Sequence, residues 1–310
     1  MARNFGLGSR DMGKAGAFAV NNASRSGDLS YSSAATISDR WNSFAAAARE
    51  AGIRDMKNID RSVVESYGRE LAARVQSGGM AAATAQNYLS AVNTVLSLAT
   101  GGKWQSVSPT KDCGIQNRSH VRQDAPGALD RPAYGRALDA VRWQMGERVG
   151  AIVELARELG LRSKEASLID ARGALAQARA SGFVTVSEGT KGGLSRQAPV
   201  SERGMAALAR AASAQGGGRS MIPALRSWKE WRAGELRQAR EIVQEHTKGG
   251  LHDLRAAYAC QRYQELTEHA APAAGGVIGD KEADREARQQ IASELGHGRT
   301  DVVAQYIGGR

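Results

Sequence analysis

Leu251-His252-Asp253-Leu254-Arg255, followed by Glu294-Leu295-Gly296-His297 and then by Tyr306, is the stretch from which the rest of the chain can be read. His252 and Arg255 are three positions apart, so on a helix they share a face and offer hydrogen-bond donors to one anion. Tyr306 follows in Asp301-Val302-Val303-Ala304-Gln305-Tyr306, a short segment able to bring a phenol to the same anion. A phenol beside a clamped phosphate is a potential nucleophile. In a chain with five histidines and many arginines the pair alone proves little, and it needs company elsewhere.

That company lies upstream. Gly160-Leu161-Arg162-Ser163-Lys164-Glu165-Ala166-Ser167-Leu168 places an arginine at a turn, with Glu165 three positions on to orient it. The β-branched run Phe183 to Val186 and the later Gln197 to Val200 flank a Gly-rich turn, which predicts a small antiparallel hairpin with Lys191 at its tip. A lysine in such a turn is ordinarily just solvated.

The order Arg, Lys, His-x-x-Arg, Gly-His, Tyr resembles the tyrosine recombinase (phage-integrase) family, most closely the integrases of proteobacterial prophages and mobile elements. Residue by residue, Arg162 with Glu165 and Leu168 matches the family's R-x-x-E-x-x-L pattern, and Lys191 matches the hairpin lysine. His252 and Arg255 fit the H-x-x-R box, His297 the L-G-H box and Tyr306 the nucleophile. Ala256 departs from the histidine often found after the second arginine. The resemblance covers residues 130 to 310 at motif level, and more loosely a helical region upstream.

It implies a mostly α-helical protein with a small antiparallel β-sheet, in which a helical core-binding bundle precedes a catalytic domain. It also implies strand cleavage through a 3′-phosphotyrosyl intermediate, with Arg162 and Arg255 on the phosphate and Lys191 as general acid. In that reading His252 assists deprotonation of Tyr306 and His297 donates a hydrogen bond to phosphate. The implied partner is double-stranded DNA at attachment sites, bound by a homotetramer with accessory DNA-bending or directionality proteins. No cofactor or metal is implied. Two other readings stay open: relaxation of DNA by a type IB topoisomerase-like enzyme, and a DNA-binding regulator that has lost activity.

Composition agrees with a polyanion partner. Lys and Arg number 42 against 32 Asp and Glu, giving a net charge of +10. The excess is spread along the chain, with 15 against 10 in residues 1 to 124 and 27 against 22 in the rest. Two cysteines, Cys113 and Cys260, are too few for a disulfide framework and lack zinc-site spacing. With no leader and no apolar run of the ~20 residues that span a bilayer, the expectation is a cytoplasmic protein without a membrane partner.

Taken in order, residues 1–34 read as a flexible basic arm rich in Gly, Ser, Ala and Asn. Within it Gly8 to Ala15 resembles a phosphate loop, but Ala15 stands where the magnesium-binding Ser or Thr belongs, and no apolar strand precedes it. Residues 35–108 predict a helical DNA-binding domain. One helix starts at the capping box Thr36-Ile37-Ser38-Asp39, a second at Ser62-Val63-Val64-Glu65, and a third carries Leu89, Val92 and Leu96. Residues 109–129 lose periodicity and read as a linker whose Lys111, Arg118 and Arg122 contact the DNA backbone. Residues 130–310 form the catalytic domain. It opens at Asp130-Arg131-Pro132, includes two helices over 201–246 with Leu225, Trp228, Leu236, Ala239 and Val243 inward, and has a mobile loop at 269–280 before a helix Lys281 to Glu294.

Overall fold

The computed structural model describes residues 3–309. The chain divides into two compact units, Met1–Ser119 and His120–Arg310.

The first unit is built from four helices: α1 (Met12–Arg25), α2 (Tyr31–Glu50), α3 (Arg61–Gln76) and α4 (Ala82–Ala99). Its core is apolar, centred on Trp41, Phe44, Leu71, Leu89 and Leu96. Trp41 and Phe44 rings lie 5.2 Å apart, as do Phe44 and Tyr67, contacts that add about 0.5–1.5 kcal/mol each beyond their burial.

Three expectations for this unit are corrected. Residues 12–25 are a helix in the core, not a flexible arm. Asp11 caps it by accepting from the Lys14 N–H, and Met12, Ala15 and Val20 are buried. Gly16 leaves room for the indole of Trp41, whose Nε1 donates to the Met12 carbonyl at 2.8 Å. The small residues that read as low complexity are thus a surface for close helix packing, and Asp11 fills the place an anion would take at the phosphate-loop look-alike. Helix α2 starts five residues before the expected capping box, at Tyr31, because Ser30 supplies the cap; α3 is capped by Asp60 and not by Ser62. The expected linker, residues 109–129, is anchored at both ends: Cys113 and Ile115 are buried in the first unit's core, and Ala128 in the second's. Periodicity fails there because single apolar anchors hold irregular backbone.

In the second unit, α5 (Arg131–Met145), α6 (Glu147–Glu158), α7 (Ser163–Leu168) and α8 (Ala171–Ser181) lead into strands β1 (Phe183–Val186) and β2 (Arg196–Pro199). The strands pair antiparallel, Val184 opposite Ala198 and Val186 opposite Arg196, so these four side chains share the inward face. Helices α9 (Glu202–Ala214), α10 (Trp228–Ala233), α11 (Glu235–Thr247), α12 (Leu251–Thr267), α13 (Lys281–Glu294) and α14 (Ala304–Ile307) complete it. Helix α6 runs through the core with every residue from Val149 to Glu158 buried.

Residues 201–246 hold three helices rather than two, since Gly234 breaks the second run. Leu225, expected inward, is 96% exposed, whereas Trp231 is 2% exposed in the core; Leu225 precedes the Ser227 cap of α10 and is outside the helical period. No described helix is long and apolar enough to cross a membrane. Cys113 and Cys260 are free thiols, both buried.

Candidate active site

The turn between α6 and α7 supplies the first arginine. Gly160 has φ +63°, and a Cβ there would sit 2.5 Å from the Tyr258 ring, so the chain can turn closely over α12 only with glycine. Arg162 follows as the residue before α7. Glu165 reaches back to its N–H at 2.7 Å and accepts from its Nη1 at 2.7 Å. The expected orienting role of Glu165 is therefore seen, but not as a surface pair: Glu165 has no exposed surface.

Helix α12 carries His252 and Arg255 on one face, as their spacing requires. Arg255 is fully buried. Its Nη1 donates to the Gly160 carbonyl and its Nη2 to the Leu295 carbonyl, and Nη1 lies 3.7 Å from Glu165. Its Nε has no hydrogen-bond partner among the described residues. Asp253 points elsewhere, accepting from the Gly127 N–H and pairing with Arg122.

Tyr306 sits on the short α14 and is 3% exposed. Its Oη is 3.1 Å from His297 Nε2, its ring centroid is 5.6 Å from the Arg255 Cζ, and the His252 ring is 5.4 Å away. The segment after it is anchored, because Ile307 is buried and Arg288 donates to the Gly308 carbonyl at 3.0 Å. Tyr258 and Tyr263, the other phenols of this region, are engaged with Glu294 and Asp284.

Five of the six residues expected from the sequence are thus brought around one point: Arg162, His252, Arg255, His297 and Tyr306. Lys191 is exposed at the tip of the hairpin, in the single turn Lys191–Gly193. Arg122 is committed to Asp253, while Lys111 and Arg118 are exposed on the first unit. Sequence reasoning missed Arg196. Its position inward on β2 was the available signal, since a charge on the buried face of a strand implies a buried partner.

The charges explain the protonation states. Burial lowers the His297 pKa to about 4, helped by Arg255, Arg162, Arg196 and Lys191. His252 moves down as well, through crowding of its ring first and then through Arg255 and Arg162. Both imidazoles are neutral at pH 7. Burial pushes Glu165 up, but hydrogen bonds and charge from Arg196 and Arg162 outweigh it and hold the carboxyl at about 2. Arg255 is lowered by burial to about 10 and remains a cation at neutral pH. Among the described residues no three His, Cys, Asp or Glu side chains are grouped to hold a metal ion.

The arrangement is a cluster of guanidinium groups under a phenol that neutral imidazoles contact. Comparison with known proteins bears on the fold. Residues 118–261 match the family model described as integrase. The fold is similar to that of the Tn1549 transposon integrase in complex with transposon right end DNA (10% identity, 95% of each chain covered, TM-score 0.60). It is also similar to the XerH site-specific recombinase bound to palindromic difH substrate in a post-cleavage complex (16% identity, 89% of this chain and 76% of that one, TM-score 0.55). A third similar structure is the lambda integrase tetramer bound to a Holliday junction (15%, 91% and 74%, TM-score 0.54). No curated protein sequence matches the chain. Residues 118–261 are thus similar to the integrase family, and the fold is shared with solved integrases and site-specific recombinases.

Proposed function

We propose that this chain is a site-specific recombinase that integrates or excises a mobile element, and that Tyr306 is its nucleophile. The observation that carries the reading is the packing of the Tyr306 phenol, 3.1 Å from His297 Nε2, over the buried Arg255 guanidinium. Arg255 keeps an unpaired Nε donor in that place, which costs about 1–3 kcal/mol unless something accepts from it. A phosphate oxygen is the natural acceptor for a buried arginine, and Arg162, 21% exposed in its side chain, can take a second oxygen. For a phosphate to enter, the Tyr306 ring must swing off Arg255.

The step is a transesterification. Tyr306 Oη attacks the scissile phosphorus, its proton passing to neutral His252. The bond to the 5′-oxygen breaks, and Lys191 protonates that oxygen, leaving a 3′-phosphotyrosyl link and a free 5′-hydroxyl. Arg162 and Arg255 hold the negative charge of the pentavalent transition state, where one preorganised contact is worth about 3 kcal/mol. His297, hydrogen-bonded to Tyr306 before attack, donates to a phosphate oxygen during it. Rejoining is the reverse, so the bond energy is kept in the tyrosyl ester and no nucleotide is consumed.

The substrate is double-stranded DNA at attachment sites, gripped by both basic units, with exposed Lys111 and Arg118 on its backbone. A homotetramer assembled on two duplexes in the cytoplasm, aided by accessory DNA-bending or directionality proteins, is the working form. The test is to trap the adduct on a nicked suicide duplex and map it by mass spectrometry and end labelling. A single adduct joining Tyr306 to a 3′-phosphate is the expected result; attachment at another residue or through a 5′-phosphate would overturn the assignment.

A further inference from the structure

The hydrogen bonds of Arg196 go to none of the reacting groups, yet they tie together three of the pieces that supply or support them. Its side chain is 4% exposed. Nη1 and Nη2 donate to the two Glu165 oxygens at 2.8 and 2.7 Å, a two-pronged pairing, and Nε donates to the Glu294 carbonyl at 2.8 Å. Its stem runs beneath the turn that presents His297. Gly296 there has φ +68°, and a Cβ on it would sit 2.8 Å from the Arg196 Cδ. The residue therefore fastens three pieces: β2, which is the return strand of the Lys191 hairpin; Glu165, which orients Arg162; and the end of α13, whose Leu295 carbonyl holds Arg255.

The balance of charge sharpens its role. One buried carboxylate faces three guanidinium groups, and Arg196 holds both of its oxygens. While it does so, Arg162 makes only one side-chain hydrogen bond to Glu165, at Oε1, and the rest of its fork is left for another acceptor. Without Arg196, the Glu165 carboxylate has Arg162 and Arg255 as its remaining cations, and it draws Arg162 inward, away from an incoming phosphate.

We infer that Arg196 is a positioning residue for strand cleavage, keeping Arg162 available and setting the turn of His297 against the Lys191 hairpin. This rests on the proposed tyrosyl chemistry. A lysine at this position retains the charge but not the planar fork that spans two carboxylate oxygens and a carbonyl.

The test uses the full chain with Arg196→Lys, Arg196→Met and Glu165→Gln/Arg196→Met, each checked for a cooperative melt above the assay temperature. Wild-type protein must first form the Tyr306 adduct; if it does not, the proposed chemistry fails and not this inference. DNA affinity and the single-turnover cleavage rate at saturating DNA are then measured. For Arg196→Met the expected result is unchanged affinity with cleavage slowed about 100-fold, and for Arg196→Lys an intermediate rate. Because the residue acts through Glu165, Glu165→Gln/Arg196→Met should cleave no more slowly than Arg196→Met. A folded Arg196→Met protein that cleaves at the wild-type rate would overturn the inference. So would a loss of affinity in proportion to the loss of rate, which marks a merely structural side chain. If Arg196→Met fails to fold, the lysine variant decides alone, and a wild-type rate from it overturns the inference.

Discussion

The two units bury different things. In Met1–Ser119 the buried residues are almost all apolar, with Asn4 and Ser24 the polar exceptions, whereas every buried charged side chain among the described residues lies in His120–Arg310. These include Glu165, Arg196 and Arg255 around the phenol, and Asp284 with Arg288 behind the segment that carries it. Apolar burial stabilises without fixing orientation. Buried ion pairs contribute little net stability, but removing one partner is costly, so they hold groups in a set geometry. The first unit is built to persist and the second to aim side chains, and stability and rate should therefore come apart under mutation.

Among substitutions that leave the phenol in place, the largest expected effect falls on an exposed side chain. Lys191→Ala should leave the melting temperature unchanged while slowing cleavage about 10²–10⁴-fold, the range for loss of a general acid. Replacing the 5′-bridging oxygen with sulfur should restore most of the rate, and absence of rescue would remove Lys191 from that role. Next, Trp41→Ala should cost about 3–5 kcal/mol in denaturant unfolding by emptying the centre of the first core. The part that remains folded should still form the covalent adduct at the wild-type rate; a slowed single-turnover rate would break the division between the units. Glu165→Gln is the mirror case, with a loss of about 3 kcal/mol in stability and a cleavage rate that falls even in fully folded protein.

The smallest effect is that of pH. His297 is held at about 4 by burial and by arginine charges, against about 6.5 in an unfolded chain. As pH falls below 6.5 the unfolded chain takes up the proton first, so this contribution is complete above that pH and is lost progressively down to 4. His252, also lowered, acts in the same direction. All five histidines belong to the second unit. Melts between pH 7 and 5 should accordingly flatten for that unit in His297→Gln, and an unchanged slope would show that the ring is not held below its ordinary pKa.

What could be read from the sequence follows the same division. The five residues gathered at the phenol were legible because their types and order resemble those of a known family, and the hairpin because a β-branched run and a Gly-rich turn mark it; α12, buried almost all round, carries no such period. What supports them was not. Arg196 pairs with Glu165 from 31 positions away, and Arg288 reaches the Gly308 carbonyl from another helix, contacts that no local pattern announces. Helix α1 was hidden for a different reason. Between Met12 and Val20 its buried face is made of Gly and Ala, which carry little hydrophobic signal but allow the close approach of Trp41. Arg122 read as a DNA contact because a basic residue in irregular chain looks solvated, and its partner Asp253 lies 131 positions on, within the HxxR box itself.

The central claim is that one phenol, held over a buried arginine, performs the chemistry, and Tyr306→Phe tests it most directly. The variant removes only the oxygen that is 3.1 Å from His297 and leaves the ring over Arg255. On a nicked suicide duplex it should bind with wild-type affinity and give no covalent protein–DNA band. A covalent band of wild-type intensity from Tyr306→Phe would contradict the account.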